Sequence, residues 1–299
     1  MNVQTRVHPA QSRRNLSSLL RRPIVVAVIL LTFVLGQRVQ AYILRGPHLL
    51  SLMTQQYGRA KSLMVTQKVQ FFGQSSGDVI AEAEETLRYV FPSAFRSDST
   101  SQNATRIHLM SNGRTLTVID DKIVVNDETL FDLYKDILLY RSRELLERRL
   151  TFAGVDTSLT CLGRFKGRIA VVLGAEKAQE RVSQLWVDKE TFRPIRWIFV
   201  SSSAETPEMV MEIRYGDWRK VKRTWYPMLV GIYRDGELTR EIKVAALRVN
   251  AAFPKRMFDP EYMEATYHQS VSEHQEGSVD GELSEIEKTI NEFRKRIEE

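Results

Sequence analysis

The residues able to do chemistry are few, and their spacing argues against most of it. Gly73-Gln74-Ser75-Ser76-Gly77 spells G-x-S-x-G, the pattern of a hydrolase elbow that raises its serine on a turn between a strand and a helix. Here an alternating apolar and polar segment follows, so a second strand is predicted and the segment reads as a flexible hairpin turn. The histidines are scattered. His8 falls in the leader, His48 opens a helix, His108 lies on a strand, and His268 and His274 sit in a polar stretch without the close helical spacing of metal ligands. The single cysteine, Cys161, excludes an intramolecular disulfide, and its strand face, shared with Leu159 and Phe165, makes it a small buried hydrophobe rather than a nucleophile. Asn103-Ala104-Thr105 matches a glycosylation sequon, a pattern common by chance. No phosphate-cradling glycine loop, Cys-His pairing or isolated carboxylate pair stands out. An esterase or glycosidase is thereby disfavoured, and no metal or cofactor is expected.

The elements that remain are those of a β protein. In Gln184 to Val200, QLWVDKETFRPIRWIFV, a short apolar strand reaches Asp188, turns, and returns through Pro194, with Trp186 and Trp197 flanking the turn. This hairpin is expected near the middle of one antiparallel sheet. Alternating segments recur at Ser62 to Phe72, Asp78 to Phe91, Phe95 to Asp98, Thr105 to Met110, Arg114 to Asp120, Lys122 to Asn126, Thr157 to Phe165, Arg168 to Leu173, Glu208 to Trp218, Trp225 to Arg234 and Glu237 to Val249. Asn112-Gly113, Asp120-Asp121, Lys166-Gly167 and Asp235-Gly236 supply hairpin turns between them. Along Glu237 to Val249, Leu238, Ile242, Val244 and Ala246 are expected on one face. Two stretches change period: Pro47 to Tyr57, an amphipathic helix ended by Gly58, and Thr129 to Leu150, read as one long helix with Leu130, Leu133, Tyr134, Ile137, Leu138, Leu145 and Leu146 on its stripe.

A long sheet must hide one face, and two or three short helices leave part of it for something else. A sheet that curls without closing encloses a hollow suited to an acyl chain. At about 0.8 kcal/mol per buried methylene, a chain of roughly 16 carbons gains on the order of 12 kcal/mol before ordering costs.

Charge and composition set the address. The formal net charge is +6, but six of the 43 basic residues (Arg6, Arg13, Arg14, Arg21, Arg22 and Arg38) lie in residues 1–41, which contain no acid, and the remainder balances the 37 acidic residues. Nucleic acid is therefore not an expected partner. The arginines, the apolar run Pro23 to Gly36 and Val39-Gln40-Ala41 form a cleavable secretory signal; retention as an inner-membrane anchor through 23–36 is less favoured, the run being shorter than the about 20 residues of a spanning helix. Ser12-Arg13-Arg14-Asn15-Leu16 faintly resembles a twin-arginine signal, against which stand Arg21 and Arg22 before the apolar run. The expected organisation is a signal peptide at 1–41, a domain at 42–262, a flexible linker at 263–281 and an amphipathic helix at 282–299, on which Leu283, Ile286, Ile290, Phe293 and Ile297 form a stripe.

The order of these elements, with YVFPSAFRSD at Tyr89 to Asp98, the strand Leu116 to Val125, LWVDKETFRPIRW at Leu185 to Trp197 and the close RVNAAFPKRMFDP, resembles the outer-membrane lipoprotein-sorting family, the LolA/LolB-like proteins, over Pro47 to Pro260. The resemblance implies an α+β fold: a single curled antiparallel sheet, an open half-barrel of about eleven strands, with a helical lid over an apolar cavity. It implies a periplasmic, non-enzymatic carrier of acyl chains of lipoproteins or other lipids, with a membrane transporter and an outer-membrane acceptor as partners, working as a monomer. The lid would be Pro47 to Tyr57 and Thr129 to Leu150, and the lipid-binding cavity would be lined by Phe71, Leu87, Tyr89, Val118, Leu133, Ile137, Trp197, Met211, Ile213 and Tyr215. The alternative on the same fold is an envelope-stress sensor that binds a partner protein, with Leu283 to Ile297 as the partner helix.

Overall fold

Thirteen antiparallel strands and a two-residue fourteenth form one sheet whose edges do not meet. The computed structural model describes residues 43–73, 76–124, 130–201 and 209–269. The leader, the expected helix over 282–299 and most of the expected linker lie outside the described residues. Helix α1 (Gly46–Gln56) precedes β1 (Ser62–Phe72), β2 (Val79–Val90), β3 (Ala94–Ser101), β4 (Thr105–Ser111), β5 (Arg114–Ile119) and β6 (Lys122–Val124). A 3-10 turn (Leu130–Lys135), α2 (Asp136–Leu139) and α3 (Arg143–Phe152) then cross the sheet. The second half runs through β7 (Thr160–Phe165), β8 (Arg168–Leu173), β9 (Gln184–Asp188), β10 (Pro194–Ser201), β11 (Met209–Val221), β12 (Thr224–Arg234) and β13 (Glu237–Val249), followed by α4 (Pro260–Thr266) and β14 (His268–Gln269).

Each half is a meander, because turns with two positive-φ residues match the twist of adjoining strands. Asn112-Gly113, Asp120-Asp121, Lys166-Gly167 and Asp235-Gly236 all adopt that conformation. The halves join where β1 pairs with β13. The centre of the sheet is therefore this seam, and the β9–β10 hairpin, expected there, lies near the β7 edge. Its turn holds because the Asp188 carboxylate accepts from the backbone N–H groups of Glu190 and Thr191 and from the Thr191 hydroxyl. Neighbour order depends on which half closes on which, and a strong local turn carries no information about that.

Two expectations on strand phase and one on helix length are corrected. A bulge opposite Thr66/Gln67 leaves Ala245 unpaired and resets β13, so Ala246 faces outward while Val244, Leu247 and Val249 face the core. A second irregularity, opposite Ile232/Tyr233, turns Leu238 outward, while Arg240 keeps the phase of Ile242 on the inner face. The long helix is broken: α2 ends at Leu139 and α3 starts afresh with Ser142 as its cap, its hydroxyl accepting from Leu145 N–H at 3.2 Å. The polar stretch expected as linker from 263 begins instead as helix α4, capped by Asp259, with Met263 buried against Leu109, Leu116, Val118 and Ile123. One buried methionine and one cap suffice to order a segment whose composition looks unstructured.

Candidate functional site: the covered face of the sheet

Alternation gives the sheet a covered face and an outer face. Leu63, Val65 and Val69 of β1 point under the helices and pair with Tyr89, Leu87 and Ala83 of β2. In the second half Val171, Leu173, Leu185, Val187, Trp197, Phe199, Met211, Ile213, Val230 and Ile232 continue this surface across five strands. Trp197 lies 4.3 Å from Phe199 between ring centres. Leu49, Leu50 and Met53 of α1, with Tyr57 just beyond it, and Leu133, Ile137, Leu138, Leu146 and Leu150 from the second helical segment belong to the same buried cluster.

Of the ten residues expected to line a cavity, nine fall in or against this cluster: Leu87, Tyr89, Leu133, Ile137, Trp197, Met211, Ile213 and Tyr215 inside it, Phe71 at its margin. Val118 does not. It pairs with Ile107 on the outer face, under α4, because β5 follows the opposite phase from that expected. Leu133 and Ile137 belong to the cover and share one buried cluster with the six buried wall residues, so wall and cover fill one another.

The expected wall is uniformly apolar; the observed one is not. Towards β4 the floor carries a charged and hydrogen-bonded group. Gln67 Nε2 donates to Glu85 Oε2 at 2.6 Å and to the Tyr134 hydroxyl at 2.9 Å, and the Ser97 hydroxyl donates to Glu85 Oε1. Arg106 of β4 grips Asp132 of the 3-10 turn with two hydrogen bonds, at 3.0 and 2.8 Å. His108 Nδ1 meets the Thr117 hydroxyl at 3.0 Å. Burial pushes the Glu85 carboxyl up and the Arg240 guanidinium down to about 9; burial also acts on Asp132, but the Arg106 charge holds it well below the usual carboxylate range. These residues were legible in part. Gln67 sits in phase between Val65 and Val69, and Glu85 between Ala83 and Leu87, so each interrupts an apolar face at facing positions of two paired strands.

Because the Glu85 carboxyl is raised in the folded protein, its contribution to stability is present at low pH and lost as pH rises through the folded value. Glu85→Gln, which cannot ionise, is expected to gain stability relative to the parent as pH rises above the ordinary glutamate value of about 4.3, read from urea midpoints; a constant difference would show that Glu85 titrates normally.

The two parts of the cover are attached differently. The 3-10 turn is tied to the sheet by directional bonds, Arg106 to Asp132, Gln67 to Tyr134 and the Tyr215 hydroxyl to the Tyr134 carbonyl at 3.0 Å, and α3 is tied to α2 by Arg149 Nε on Asp136 Oδ2 at 2.6 Å. The α1 hydroxyls of Ser51 and Thr54 bond only back into their own helix. Among the described residues no hydrogen bond joins an α1 side chain to the sheet, and the helix is held by Leu49, Leu50 and Met53. At its C-terminal end Arg141 Nη1 donates to the Tyr57 carbonyl at 3.1 Å and lies 3.5 Å over the Phe91 ring. At its start a Cβ on Gly46 would fall 1.9 Å from the Thr157 carbonyl oxygen and 2.8 Å from Leu173 Cδ1, so Gly46→Ala is expected to lift the helix and cost about 1–3 kcal/mol in urea unfolding.

Two buried donors, the Trp197 indole N–H and the Tyr57 hydroxyl, meet no hydrogen-bond partner among the described residues. Gly73 and Gly77 bracket a β1–β2 connection with a strand after it, where a nucleophile elbow needs a helix. Among the described residues no group of three or more His, Cys, Asp or Glu is placed to hold a metal ion, and no helix is long and apolar enough to cross a membrane.

The class defined by fold and site is thus an open antiparallel sheet whose inner face is closed by one bonded and one purely apolar helical element. No family model and no curated protein matches the sequence. Solved structures share its outline. A domain described as an outer membrane lipoprotein-sorting protein, from Vibrio parahaemolyticus, has 10% identity and a TM-score of 0.48, covering 73% of this chain and 97% of its own. A LolA superfamily protein from Nitrosomonas europaea has 11% identity and a TM-score of 0.48 over 73% of this chain and 99% of its own. A DUF1329 family protein from Desulfovibrio piger has 9% identity and a TM-score of 0.49, over 73% and 98%. At this level of similarity no role, ligand or partner follows.

Proposed function

We propose that this protein is a non-enzymatic, exported carrier of acyl chains, from lipoproteins or other lipids, which enter between the covered face and α1. The observation that carries this reading is the unequal attachment of the cover. Apolar contact is non-directional, so a hydrocarbon chain can replace Leu49, Leu50 and Met53 on the covered face without breaking a bond between an α1 side chain and the sheet, the polar contact given up being that of Arg141 with the Tyr57 carbonyl at the helix end. Burying three such side chains is worth roughly 5–9 kcal/mol, near the on the order of 12 kcal/mol a 16-carbon chain gains in the same place. A loosely balanced exchange of this kind lets cargo both enter and leave. The unpartnered Trp197 and Tyr57 donors offer an ester carbonyl a place to bond. The bonded 3-10 turn and α3 remain as a fixed roof.

Localisation in the periplasm follows from the leader read in residues 1–41. The test is mass spectrometry of lipid copurifying with the exported protein, with titration of a fluorescent fatty acid into the delipidated form. Acyl species in stoichiometric amount and saturable binding are expected; a lipid-free protein that binds no probe would remove the reading.

A further inference from the structure

The outer face carries a second candidate site, opposite the helical cover. Residue pairing sets Arg96, Arg88, Met64 and Arg248 in one row across β3, β2, β1 and β13. Cations two strands apart sit about 10 Å from each other and gain nothing from the sheet itself. Beyond the row, the chain after β13 folds back: Arg96 Nη1 donates to the Met257 carbonyl at 3.2 Å, and Phe253 packs on Phe258 at 5.8 Å between ring centres. Between this return and the seam lies a half-open cavity of about 500 Å³.

Its lining has two characters. Met64, Phe253 and Met257 make an apolar wall, and Arg88, Lys222 and Arg248 contribute charge, with no acid among the lining residues. Asp98 pairs with both Arg88 and Arg96, its one negative charge shared between them. Lys222, held at φ 55° in the β11–β12 turn, and Arg248 have no ion pair among the described residues. Two uncompensated cations at the mouth of an apolar cavity are complementary to a molecule that is anionic at one end and hydrocarbon at the other.

The geometry points to this seam cavity as a binding site for an anionic amphiphile, its phosphate or carboxylate head between Lys222 and Arg248 and its hydrocarbon along Met64, Phe253 and Met257. It is separate from the space under α1, and neither site requires the other.

The test uses a medium-chain alkyl phosphate carrying a diazirine, irradiated with the full exported protein and mapped by peptide mass spectrometry. Labelling within 247–257 is expected, with a drop of about tenfold or more in the Lys222→Glu/Arg248→Glu protein, whose two changes lie at exposed positions. An unchanged urea midpoint shows that variant folded, and Arg248→Ala alone, expected to weaken labelling less, replaces it if it is not. Equal labelling of 247–257 in the charge-reversed protein, equal labelling there by the matching neutral alcohol, or complete competition by equimolar inorganic phosphate would each overturn the proposal, the last by showing a site for free phosphate alone. Labelling confined to α1 and the covered wall would overturn it while leaving the carrier reading intact; labelling of 247–257 without any at the wall would do the reverse.

Discussion

Met53→Ala is expected to bind a fluorescent acyl chain at least about tenfold more tightly than the parent protein, although it removes a fully buried side chain. Truncating such a methionine costs about 2–5 kcal/mol. Met53 belongs to α1, whose side chains make no hydrogen bond to the sheet among the described residues, so the loss falls on the closed arrangement and leaves the open one untouched. Each 1.4 kcal/mol taken from the closed state raises the open fraction about tenfold while closure dominates, and apparent affinity rises with that fraction. Leu150→Ala is the matching control. Leu150 is equally buried but belongs to α3, which is tied through Arg149 and Asp136, so its truncation should lower the urea midpoint without tightening the probe. Equal affinities for parent and Met53→Ala, or equal gains for both variants, would mean that α1 is not the moving part.

Asp136→Asn should be the most damaging conservative change in the cover, costing about 3–5 kcal/mol in urea unfolding. Asp136 is fully buried, accepts from Arg149 Nε at 2.6 Å and lies 3.9 Å from Lys135 Nζ, itself 1% exposed. The amide keeps the shape but removes the charge and leaves two buried cations facing a neutral group. A midpoint shift equivalent to less than about 1 kcal/mol would show that neighbouring acceptors carry those cations. The variant also separates the two parts of the cover, since loosening the bonded part should not mimic the gain in affinity at Met53.

Much of the architecture was legible from local signals. The strands from Ser62–Phe72 to Glu237–Val249 follow two-residue alternation closely, and the Asn-Gly, Lys-Gly and Asp-Gly turns formed where their chemistry demanded. The α1 helix was readable from Leu49, Leu50 and Met53 with Pro47 at its start. The covered face was less so. A bulge is a one-residue event with no strong local signature, yet those in β13 inverted Leu238 and Ala246, and Val118 took the outer face. Glu85 and Gln67 each look like an exposed polar residue until β1 and β2 are paired and Tyr134 is laid over them.

By itself, then, the chain's residue order determined which segments extend, where they turn and which stretches coil, because these depend on neighbours a few positions apart. Only tertiary structure decided that β1 meets β13, a contact sealed by the Ser62 hydroxyl on the Ala251 carbonyl across 189 positions, and with it which face is roofed, where charge lies beneath the roof and where the outer cavity opens. The reason is physical: pairing across such a separation is chosen by the closing of the whole sheet, whose entropy and packing no short segment carries.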